Sequence, residues 1–368
     1  MKKQKFSIKN TLKTIFSVLI VIFLFVGPSF LFNPSLYKIS VDKIFSTPNS
    51  STVLELWHIE TFEGGSFSRA KFLQNRAIDF NKQNQGKFII VKNFTLEQLQ
   101  LNLSKNNHPD LISFGVGCGE YVLPYLSELN INNSIRSDLI DSGKIKNKQY
   151  ALPYMLGGYV LITNQSNVVD QKFQNDLINN AFNMTRCFGK NTIPSLCFAK
   201  NTLINPANAL VKNNVVGNKQ GFLDNNFSTY DAYVKFINNA SVNLLGTQRD
   251  FVRCKNREQS GKLETCYYSY LSGYSDLVQY ISVFDNISQT KKDISKAFIK
   301  FLLSKQVQQQ IKNINMFSVL TNAIYETQDG AICDFEKALK KPLVCINVFS
   351  QNQVLEQNKL KSWAYLGI

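Results

Sequence analysis

Aromatic side chains beside carboxylates and glycines are the residues of this sequence best suited to chemistry. Trp57, Tyr154 and Tyr274 each lie at the end of a predicted strand or close to a glycine, and Asp276 follows Tyr274 by two residues. Aromatic faces stack on the apolar side of a pyranose ring, while carboxylates and amides bind its hydroxyl groups. This combination predicts the binding of a sugar. A core role is the commoner alternative for any single tyrosine.

A second group of candidates is polar and glycine-rich. Four of them follow the first predicted strand and precede a helix: Glu63, Gly64, Gly65 and Ser66. Ligands of α/β sheets lie beyond the carboxyl ends of strands, so this loop is placed to line a cleft. Arg249 and Asp250 lie at the end of a predicted apolar strand that begins at Val242, and they could reach the same cleft. Two alternatives stay open, because Ser66 or Ser68 could simply cap a helix, and Arg249 with Asp250 could simply hold a loop.

Residues for catalysis, metal binding or nucleotide binding are sparse. The histidines are His58 and His108, and there is no Cys-x-x-Cys pair, so a zinc site has few donors. We find no nucleophile elbow and no carboxylate pair that stands out for acid–base work. The glycines at 115, 117 and 119 spell neither a dinucleotide-binding motif nor a P-loop. We therefore expect no enzyme activity, no cofactor and no metal.

The segment 150–164 must position many of these candidates. Pro153 disfavours a helix, and the run 160–162 has the apolar, β-branched character of a strand buried on both faces. Between them, Gly157 and Gly158 allow the backbone to approach a neighbour or a ligand closely. We predict two short strands joined by a glycine pair, with Tyr154 and Tyr159 beside the gap. Such a segment suits a crossing between two lobes that also forms a cleft wall.

Other periodic stretches predict an α/β chain. Predicted strands cover 53–57, 88–91 and 111–114, and a helix follows the first strand with Leu73, Ala77 and Phe80 on one face. Further helices are expected at 95–103, at 228–239 with Tyr230, Tyr233 and Ile237 on one side, and from Asp293 onward. A return crossing is expected at 280–284.

Four stretches, taken in chain order, resemble the extracellular solute-binding proteins of ABC importers, in the carbohydrate-binding branch (family 1). They are Leu-Glu-Leu-Trp-His at 54–58, Pro-Asp-Leu-Ile-Ser-Phe at 109–114, the glycine crossing, and Ala-Phe-Ile-Lys-Phe-Leu-Leu-Ser at 297–304. The resemblance covers about residues 53–320. It implies a two-lobed periplasmic-binding-protein-like fold of type II with a hinge. It also implies a small solute in the cleft, with Phe114 among the cleft residues, and ABC permease subunits as partners.

The size of the chain agrees with two lobes, since 368 residues approach the limit of a single core. We expect a cytoplasmic basic segment at 1–14, a transmembrane anchor or signal sequence at 15–37 and a linker at 38–52. The first lobe is expected at 53–158 and is completed by about 281–320. The second lobe is expected at 159–280, and a helical C-terminal segment at 321–368.

The N-terminal segment predicts attachment to the cell membrane. Residues 15–37 carry no charged side chain. A helix of this length is long enough to span the hydrocarbon core of a membrane. Lysines before this run outnumber those after it, so the binding domain is expected outside the cell. Secretion after signal cleavage is the alternative, although no clear cleavage site follows. The net charge of +15 is partly concentrated in this segment, and no nucleic-acid-binding signature accompanies it.

Six of the seven cysteines form three neighbouring pairs: Cys187 and Cys197, Cys254 and Cys266, and Cys333 and Cys345. Each spacing is one that a local disulfide could close, as is usual for exported proteins. The alternative is that all seven are reduced, with Cys118 unpaired in either case.

The sequence therefore predicts an extracellular protein that binds a small solute, a sugar or oligosaccharide, and delivers it to an ABC permease. A ligand sensor that partners a membrane kinase is the first alternative. A secreted hydrolase is the second.

Overall fold

The computed structural model describes residues 51–60, 68–131, 134–164, 196–199, 206, 208–209, 223–227, 229–322, 324–325, 330–340, 344–345 and 347–350. The expected membrane segment at 15–37, the loop from Glu63 to Ser66 and Cys187 lie outside these residues. Within the described ranges, no helix is both long enough and apolar enough to cross a membrane.

The first sheet of the described chain has five strands in the order β2-β1-β3-β13-β6. Its strands are β1 (Thr52–Ile59), β2 (Lys87–Phe94), β3 (Leu111–Phe114), β6 (Leu152–Leu156) and β13 (Val278–Val283). β1 runs parallel to both β2 and β3, whereas β13 is antiparallel to β3 and β6. β3, β6 and β13 are buried along their whole length, which explains their continuous apolar character.

The second sheet also has five described strands, in the order β11-β7-β10-β8-β9. They are β7 (Tyr159–Asn164), β8 (Leu196–Ala199), β9 (Leu223–Phe227), β10 (Asn243–Thr247) and β11 (Cys266–Leu271). β7 is antiparallel to β10 and β11, while β8 pairs in parallel with β10 and β9. Two short pairs complete the strands: β4 (Lys144–Ile145) with β5 (Lys148–Gln149), and β12 (Tyr274–Ser275) with β14 (Val344–Cys345).

Helices cover the sheets, and side-chain caps fix where several of them begin. The helices are α1 (Arg69–Gln83), α2 (Leu96–Ser104), α3 (Gly119–Val122), α4 (Ser137–Ile140), α5 (Thr229–Ile237), α6 (Gln248–Gln259), α7 (Gln289–Leu302), α8 (Lys305–Gln310) and α9 (Gly330–Leu339). Ser68, Thr95 and Ser288 cap α1, α2 and α7 by accepting hydrogen bonds from backbone amides of the first turn. For α2, Gln98 returns the bond and completes a capping box.

The core packs helices against the first sheet through their apolar stripes. Leu73, Ala77 and Phe80 of α1 are buried, as their spacing predicts. The ring of Phe80 meets that of Phe298 in α7 edge-to-face, with centroids 5.3 Å apart. Aromatic pairs of this geometry contribute about 0.5–1.5 kcal/mol beyond the area they bury. α1 and α7 are thereby held on the same sheet, although they are more than two hundred residues apart in sequence.

Described residues near the C-terminus, 330–340, 344–345 and 347–350, pack against the crossings between the sheets. Phe335 of α9 stacks on Tyr270 of β11 with centroids 4.6 Å apart, and also meets Phe251 and Phe317. β14 pairs with β12, and the amide of Val348 donates to the carbonyl of Ser142 at 2.8 Å. The predicted C-terminal helix is thus accompanied by a strand that the sequence did not indicate.

Two expectations from the sequence need correction. The apolar stretch that leads to Asp250 was expected to stay extended, but α6 begins at Gln248, because Thr247 and Asp250 form a capping box there. In α5, Tyr233 is buried as expected, whereas Tyr230 is 65% exposed. The buried face of α5 instead carries Ala232, Tyr233 and Phe236.

Candidate functional site

The two large sheets meet at the edges where their crossing segments begin and end. β6 leads through Gly157 and Gly158 directly into β7, and residues 272–277 lead from β11 back to β13. β13 begins at this edge of the first sheet and runs antiparallel to β3 and β6, so β3 and β6 end there. β1 runs parallel to β3 and ends at the same edge. In the second sheet, Tyr159 pairs with Thr247 and with Leu271, so β10 and β11 end beside the start of β7. Ligands of α/β sheets bind at such carboxyl ends.

The glycine pair is required by close packing of protein atoms. A Cβ at Gly158 would lie 2.6 Å from Cδ1 of Leu339 and 2.9 Å from Cε2 of Phe335, both in α9. A Cβ at Gly157 would lie 2.8 Å from Cβ of Leu277. The predicted close approach therefore exists. In this structure the neighbours are the C-terminal helix and the return crossing.

A buried polar network occupies this edge of the first sheet. Ser113 Oγ stands at its centre, 2.9 Å from His58 Nδ1, 2.8 Å from the hydroxyl of Tyr154 and 2.9 Å from Nε2 of Gln279. Arg69, the first residue of α1, donates from Nη1 to Oε1 of Gln279 at 2.8 Å. All five side chains are buried. Each hydrogen bond offsets part of the cost of removing these groups from water.

Burial dominates the electrostatics of this network. It lowers the pKa of His58 to about 3, and the positive charge of Arg69 contributes further in the same direction. His58 is therefore neutral near pH 7. Burial also lowers the pKa of Arg69 to about 10 and raises that of the Tyr154 phenol. Burial likewise raises the pKa of the Cys118 thiol to about 12, so the unpaired cysteine of the sequence analysis is a buried, protonated thiol here.

A carboxylate anchors the return crossing. Asp276 accepts a hydrogen bond from the hydroxyl of Tyr159 and a second, at 3.3 Å, from the hydroxyl of Tyr274. Burial, followed by the charge of Asp276, holds the pKa of Tyr159 well above its usual value. The hydroxyl of Ser275 donates to the carbonyl of Gly157 at 2.8 Å and so ties the two crossings together.

At the edge of the second sheet, α6 is hydrogen-bonded to the glycine pair. The amide of Gln248 donates to the carbonyl of Gly158 at 3.0 Å, and the amide of Gly158 donates to Oε1 of Gln248 at 3.0 Å. Asp250 accepts from the amide of Thr247 at 2.9 Å and lies 3.4 Å from Arg253. Arg249 is half-buried at the second position of the helix. Asp250 thus holds local structure, which was the alternative in the sequence analysis.

The predicted aromatic candidates are buried in this structure. Trp57 and Tyr154 are 0% exposed and Tyr274 is 1% exposed. The indole of Trp57 donates to Glu55 and packs on Phe94 with centroids 4.6 Å apart. Their rings therefore pack against protein atoms in this structure, and their part in ligand binding stays a prediction. Phe114 is also 0% exposed.

The structure brings some candidates together and leaves others apart. Tyr154, Gly157, Gly158, Tyr274 and Asp276 gather at the two crossings, as the contacts above describe. Trp57 points its ring toward Phe94 instead. Whether any of these residues binds ligand stays a prediction, and the candidates from Glu63 to Ser66 lie outside the described residues.

Sequence reasoning missed Arg69, Ser113, Gln248 and Gln279. Gln279 interrupts the otherwise apolar start of β13, and a polar residue in a fully buried strand is a detectable signal. Arg69 follows a glycine-containing loop at a helix start, where it resembles any surface arginine. Its burial depends on residues more than two hundred positions away and has no local signature.

The structure forms no disulfide at Cys254, Cys266 or Cys345, which are free thiols. The predicted 254–266 and 333–345 bridges are therefore absent from it. Burial raises the pKa of the Cys254 thiol, and the charges of Asp250 and Cys266 add to the rise. The thiol of Cys333 contacts the carbonyl of Tyr325 instead. Of the predicted 187–197 pair, Cys187 lies outside the described residues.

A surface pocket of about 400 Å³ lies elsewhere, at the other end of β7. It is lined by Asn164, Ile237, Asn239, Gly261, Lys262, Leu263 and Glu264. Because Asn164 ends β7 and Tyr159 begins it, this pocket is separated from the crossings by the length of that strand. The buried network and the pocket are therefore distinct features.

No protein-family model matches the chain, and no curated protein matches it in sequence. Solved structures do match. The sugar-binding protein MalE from Xanthomonas citri has a TM-score of 0.61 at 14% identity, covering 86% of this chain and 92% of its own. The GacH receptor of Streptomyces glaucescens, solved unliganded and with acarbose, has a TM-score of 0.57 at 15% identity, covering 85% and 92%.

A third similar structure is the spermidine/putrescine ABC transporter substrate-binding protein PotD from Streptococcus pneumoniae. Its TM-score is 0.57 at 12% identity, and the match covers 86% of this chain and 99% of that one. These likenesses show that the chain has the α/β periplasmic-binding-protein-like fold, which confirms that part of the sequence prediction. At such low identity the ligand does not follow from the fold.

Proposed function

We propose that this chain is an extracellular solute-binding protein of an ABC importer that takes a sugar or oligosaccharide between its two sheets. The observation that carries the proposal is the junction itself. Two sheets are linked at strand ends by a glycine crossing and a return crossing. The similar structures of this fold include a sugar-binding protein and a receptor solved with acarbose. Delivery to permease subunits follows from the same likeness.

Binding without conversion is the mode that the site supports. The groups gathered at the first-sheet edge are neutral amides and hydroxyls, a neutral histidine and an arginine. Such groups donate and accept hydrogen bonds, which is what sugar hydroxyls require. Closure of the sheets around a solute would be a hinge motion about the crossings, driven by higher affinity of the closed state.

We also propose that residues 15–37 anchor the protein in the cell membrane with the binding domain outside. The charge-free run and the preceding lysines support this orientation. Membranes washed with alkali should retain a full-length band on an immunoblot. A shortened, released protein would instead establish secretion after signal cleavage.

We retain the three local disulfides as part of this proposal, since an exported protein meets an oxidising environment. The packing of α6 on β11, where the ring centroids of Phe251 and Tyr268 lie 5.0 Å apart, supports the second pair most directly. Peptide mapping without reduction should recover the 187–197, 254–266 and 333–345 pairs. A cross-link that involves Cys118 would contradict the scheme.

The test of function is a calorimetric and thermal-shift screen of the purified full-length protein against neutral mono- and oligosaccharides, a polyamine and an amino acid. A ligand that binds only the folded state adds about 2.7 kcal/mol of stability at 100 times its dissociation constant. Unchanged ligand after long incubation is expected. A cleaved saccharide would replace this proposal with a hydrolase, and stabilisation only by the polyamine or amino acid would remove the sugar assignment.

A further inference from the structure

We infer that the helices outside the first sheet dock on anionic phospholipid headgroups through a row of lysines. The row consists of Lys296 and Lys300 in α7 and Lys305 at the start of α8, and we call it the basic strip. The inference goes beyond solute binding. It rests on one part of the proposed function, the membrane anchor at 15–37.

The outward side of α7 carries the first two lysines of the strip. The side chains of Ile294, Phe298 and Leu302 are buried against the sheet. The helical period puts Lys296 and Lys300 on the opposite side, about one turn apart. Like charges with this spacing repel each other and destabilise a helix. The apolar stripe already holds α7 in place, so these two charges lower its stability without adding to its packing.

The charges of the strip are not balanced by neighbouring carboxylates. The stretch 289–312 has six lysines and one acidic residue, Asp293, which accepts a hydrogen bond from Gln289. The two lysines of the first turn of α7 pair with carboxylates of other elements, at 2.9 Å and 2.6 Å. In the part of the chain that the structure describes, no carboxylate forms an ion pair with Lys296, Lys300 or Lys305. The strip therefore keeps its positive charge.

α1 extends this positive surface beside the strip. The rings of Phe80 in α1 and Phe301 in α7 have centroids 5.7 Å apart, so the last turns of the two helices lie side by side. Arg76 and Lys82 of α1 share the carboxylate of Asp79, at 3.0 Å and 3.9 Å. Two cations against one carboxylate leave α1 with an excess of positive charge next to α7.

The anchor supports a lipid surface as the partner. Residues 38–51 join the charge-free run to Thr52, where β1 begins, and 14 residues reach at most about 50 Å. α7 begins at the same edge of the sheet, because β13 leads into it and Val283 at the end of β13 pairs with Leu111 at the start of β3. An anchored chain therefore holds the strip at a high effective concentration near headgroups.

Anionic headgroups complement the strip in charge. Each lysine at an anionic membrane surface favours the contact by about 1 kcal/mol, which is about fivefold. The three lysines together favour it by about a hundredfold. An acidic protein surface would attract the same lysines, but the anchor holds the chain at a lipid surface, and the lipid is therefore the partner we assign.

The experiment measures how accessible each lysine is in full-length protein held in lipid nanodiscs. One set of discs contains phosphatidylcholine alone, and the other an equal mixture of phosphatidylcholine and phosphatidylglycerol. Brief acetylation followed by peptide mass spectrometry gives a labelling rate for each lysine. The rates at Lys296, Lys300 and Lys305 should be at least about fivefold lower in the anionic discs. About 1 M salt, which shortens the Debye length to about 3 Å, should abolish this difference.

Lys262 is the internal control for labelling, because it is exposed at the surface pocket near the second sheet. It should react equally in both kinds of disc. Lysines outside the strip thereby report any general effect of the lipid on the reagent.

Lys296→Gln combined with Lys300→Gln is the principal variant, because it removes the repulsion along α7. It should weaken the contact about 25-fold and return the labelling of Lys305 in anionic discs to its rate in neutral discs. Lys105→Gln combined with Lys262→Gln is the matched control, since it removes the same charge from exposed positions outside the strip. The control variant should keep Lys305 protected. Both variants should keep the melting temperature of the parent protein, as is usual for surface positions.

The outcomes separate this inference from the proposed function. Equal labelling of the strip in the two kinds of disc, or protection that survives raised salt, would refute lipid binding while the anchor and solute binding stand. A full-length chain that does not enter discs would remove the anchor and this inference with it. Protection in native membranes but not in anionic discs would assign the strip to an acidic protein partner instead.

Discussion

The glycine pair offers the sharpest test of how the crossing is packed. At Gly158 a Cβ would lie 2.6 Å and 3.0 Å from the two methyl groups of Leu339 and 2.9 Å from the ring of Phe335. Gly158 does not have a positive φ, so alanine can adopt its backbone conformation. The strain in Gly158→Ala would therefore come from steric contact of the added methyl group. Overpacking of this kind costs about 1–3 kcal/mol. We expect Gly158→Ala to destabilise the protein by that amount.

Urea denaturation would measure the change as a shift of the midpoint at constant slope. Leu339→Ala alone should cost about 2–5 kcal/mol, because it leaves a cavity beside Phe335. The double variant Gly158→Ala/Leu339→Ala should lose about 0.5–3 kcal/mol less stability than the sum of the two single losses, because the new methyl group occupies the space vacated by leucine. This coupling isolates the contact between the crossing and α9.

Gly330→Ala serves as the matched control, since no atom lies within 4 Å of its added Cβ. It should be neutral or stabilise the protein by up to about 1 kcal/mol, as alanine favours a helix over glycine. If Gly158→Ala were equally harmless, or if the double variant were simply additive, the close packing described here would not be what requires glycine.

Three further predictions concern buried polar groups and use denaturation free energies. The pKa of His58 is about 3 in the folded protein and about 6.5 in the unfolded chain, so its contribution to the free energy of unfolding is complete above pH 6.5 and is lost as the pH falls toward 3. We therefore expect the protein to be about 2 kcal/mol less stable at pH 5 than at pH 8. The His58→Asn variant should show a shallower dependence of stability on pH. The carboxylate oxygens of Glu336 accept hydrogen bonds from the amide of Ile324, at 2.9 Å and 3.1 Å, and from the amide of Tyr325. Glu336→Ala should therefore lower the free energy of unfolding by about 2 kcal/mol or more, and Glu336→Gln by less. Equal losses in the two variants would contradict the role of these oxygens. Tyr159→Phe removes a donor to buried Asp276 and should cost about 1.5–3 kcal/mol, whereas a loss under about 0.5 kcal/mol would mean that the pair contributes little.

Much of the local structure was readable from the sequence, because its signals lie within a few residues. The strand Leu111–Phe114 is continuous and apolar, and it was predicted with its observed bounds. The buried face of α1 follows the helical spacing of Leu73, Ala77 and Phe80. The glycine pair marked the crossing between β6 and β7, since no other residue fits so close an approach.

The tertiary structure decided what each side chain faces. Trp57 and Tyr154 have the same local setting whether they line a crevice or fill a core, and only packing with Phe94 and the hydrogen bond to Ser113 put them in the core. The start of α6 escaped prediction because the apolar run before it reads as one strand.

The sequence by itself determined strand β3, the buried face of α1 and the crossing, since each depends on neighbours along the chain, and the family resemblance predicted the class of fold. It could not determine the polar network, because Arg69 and Gln279 are 210 residues apart and their bond exists only once β13 is inserted between β3 and β6. His58 is buried beside Ser113 of the neighbouring strand, and that burial lowers its pKa to about 3. Long-range strand pairing, which no local pattern encodes, therefore created this buried polar network.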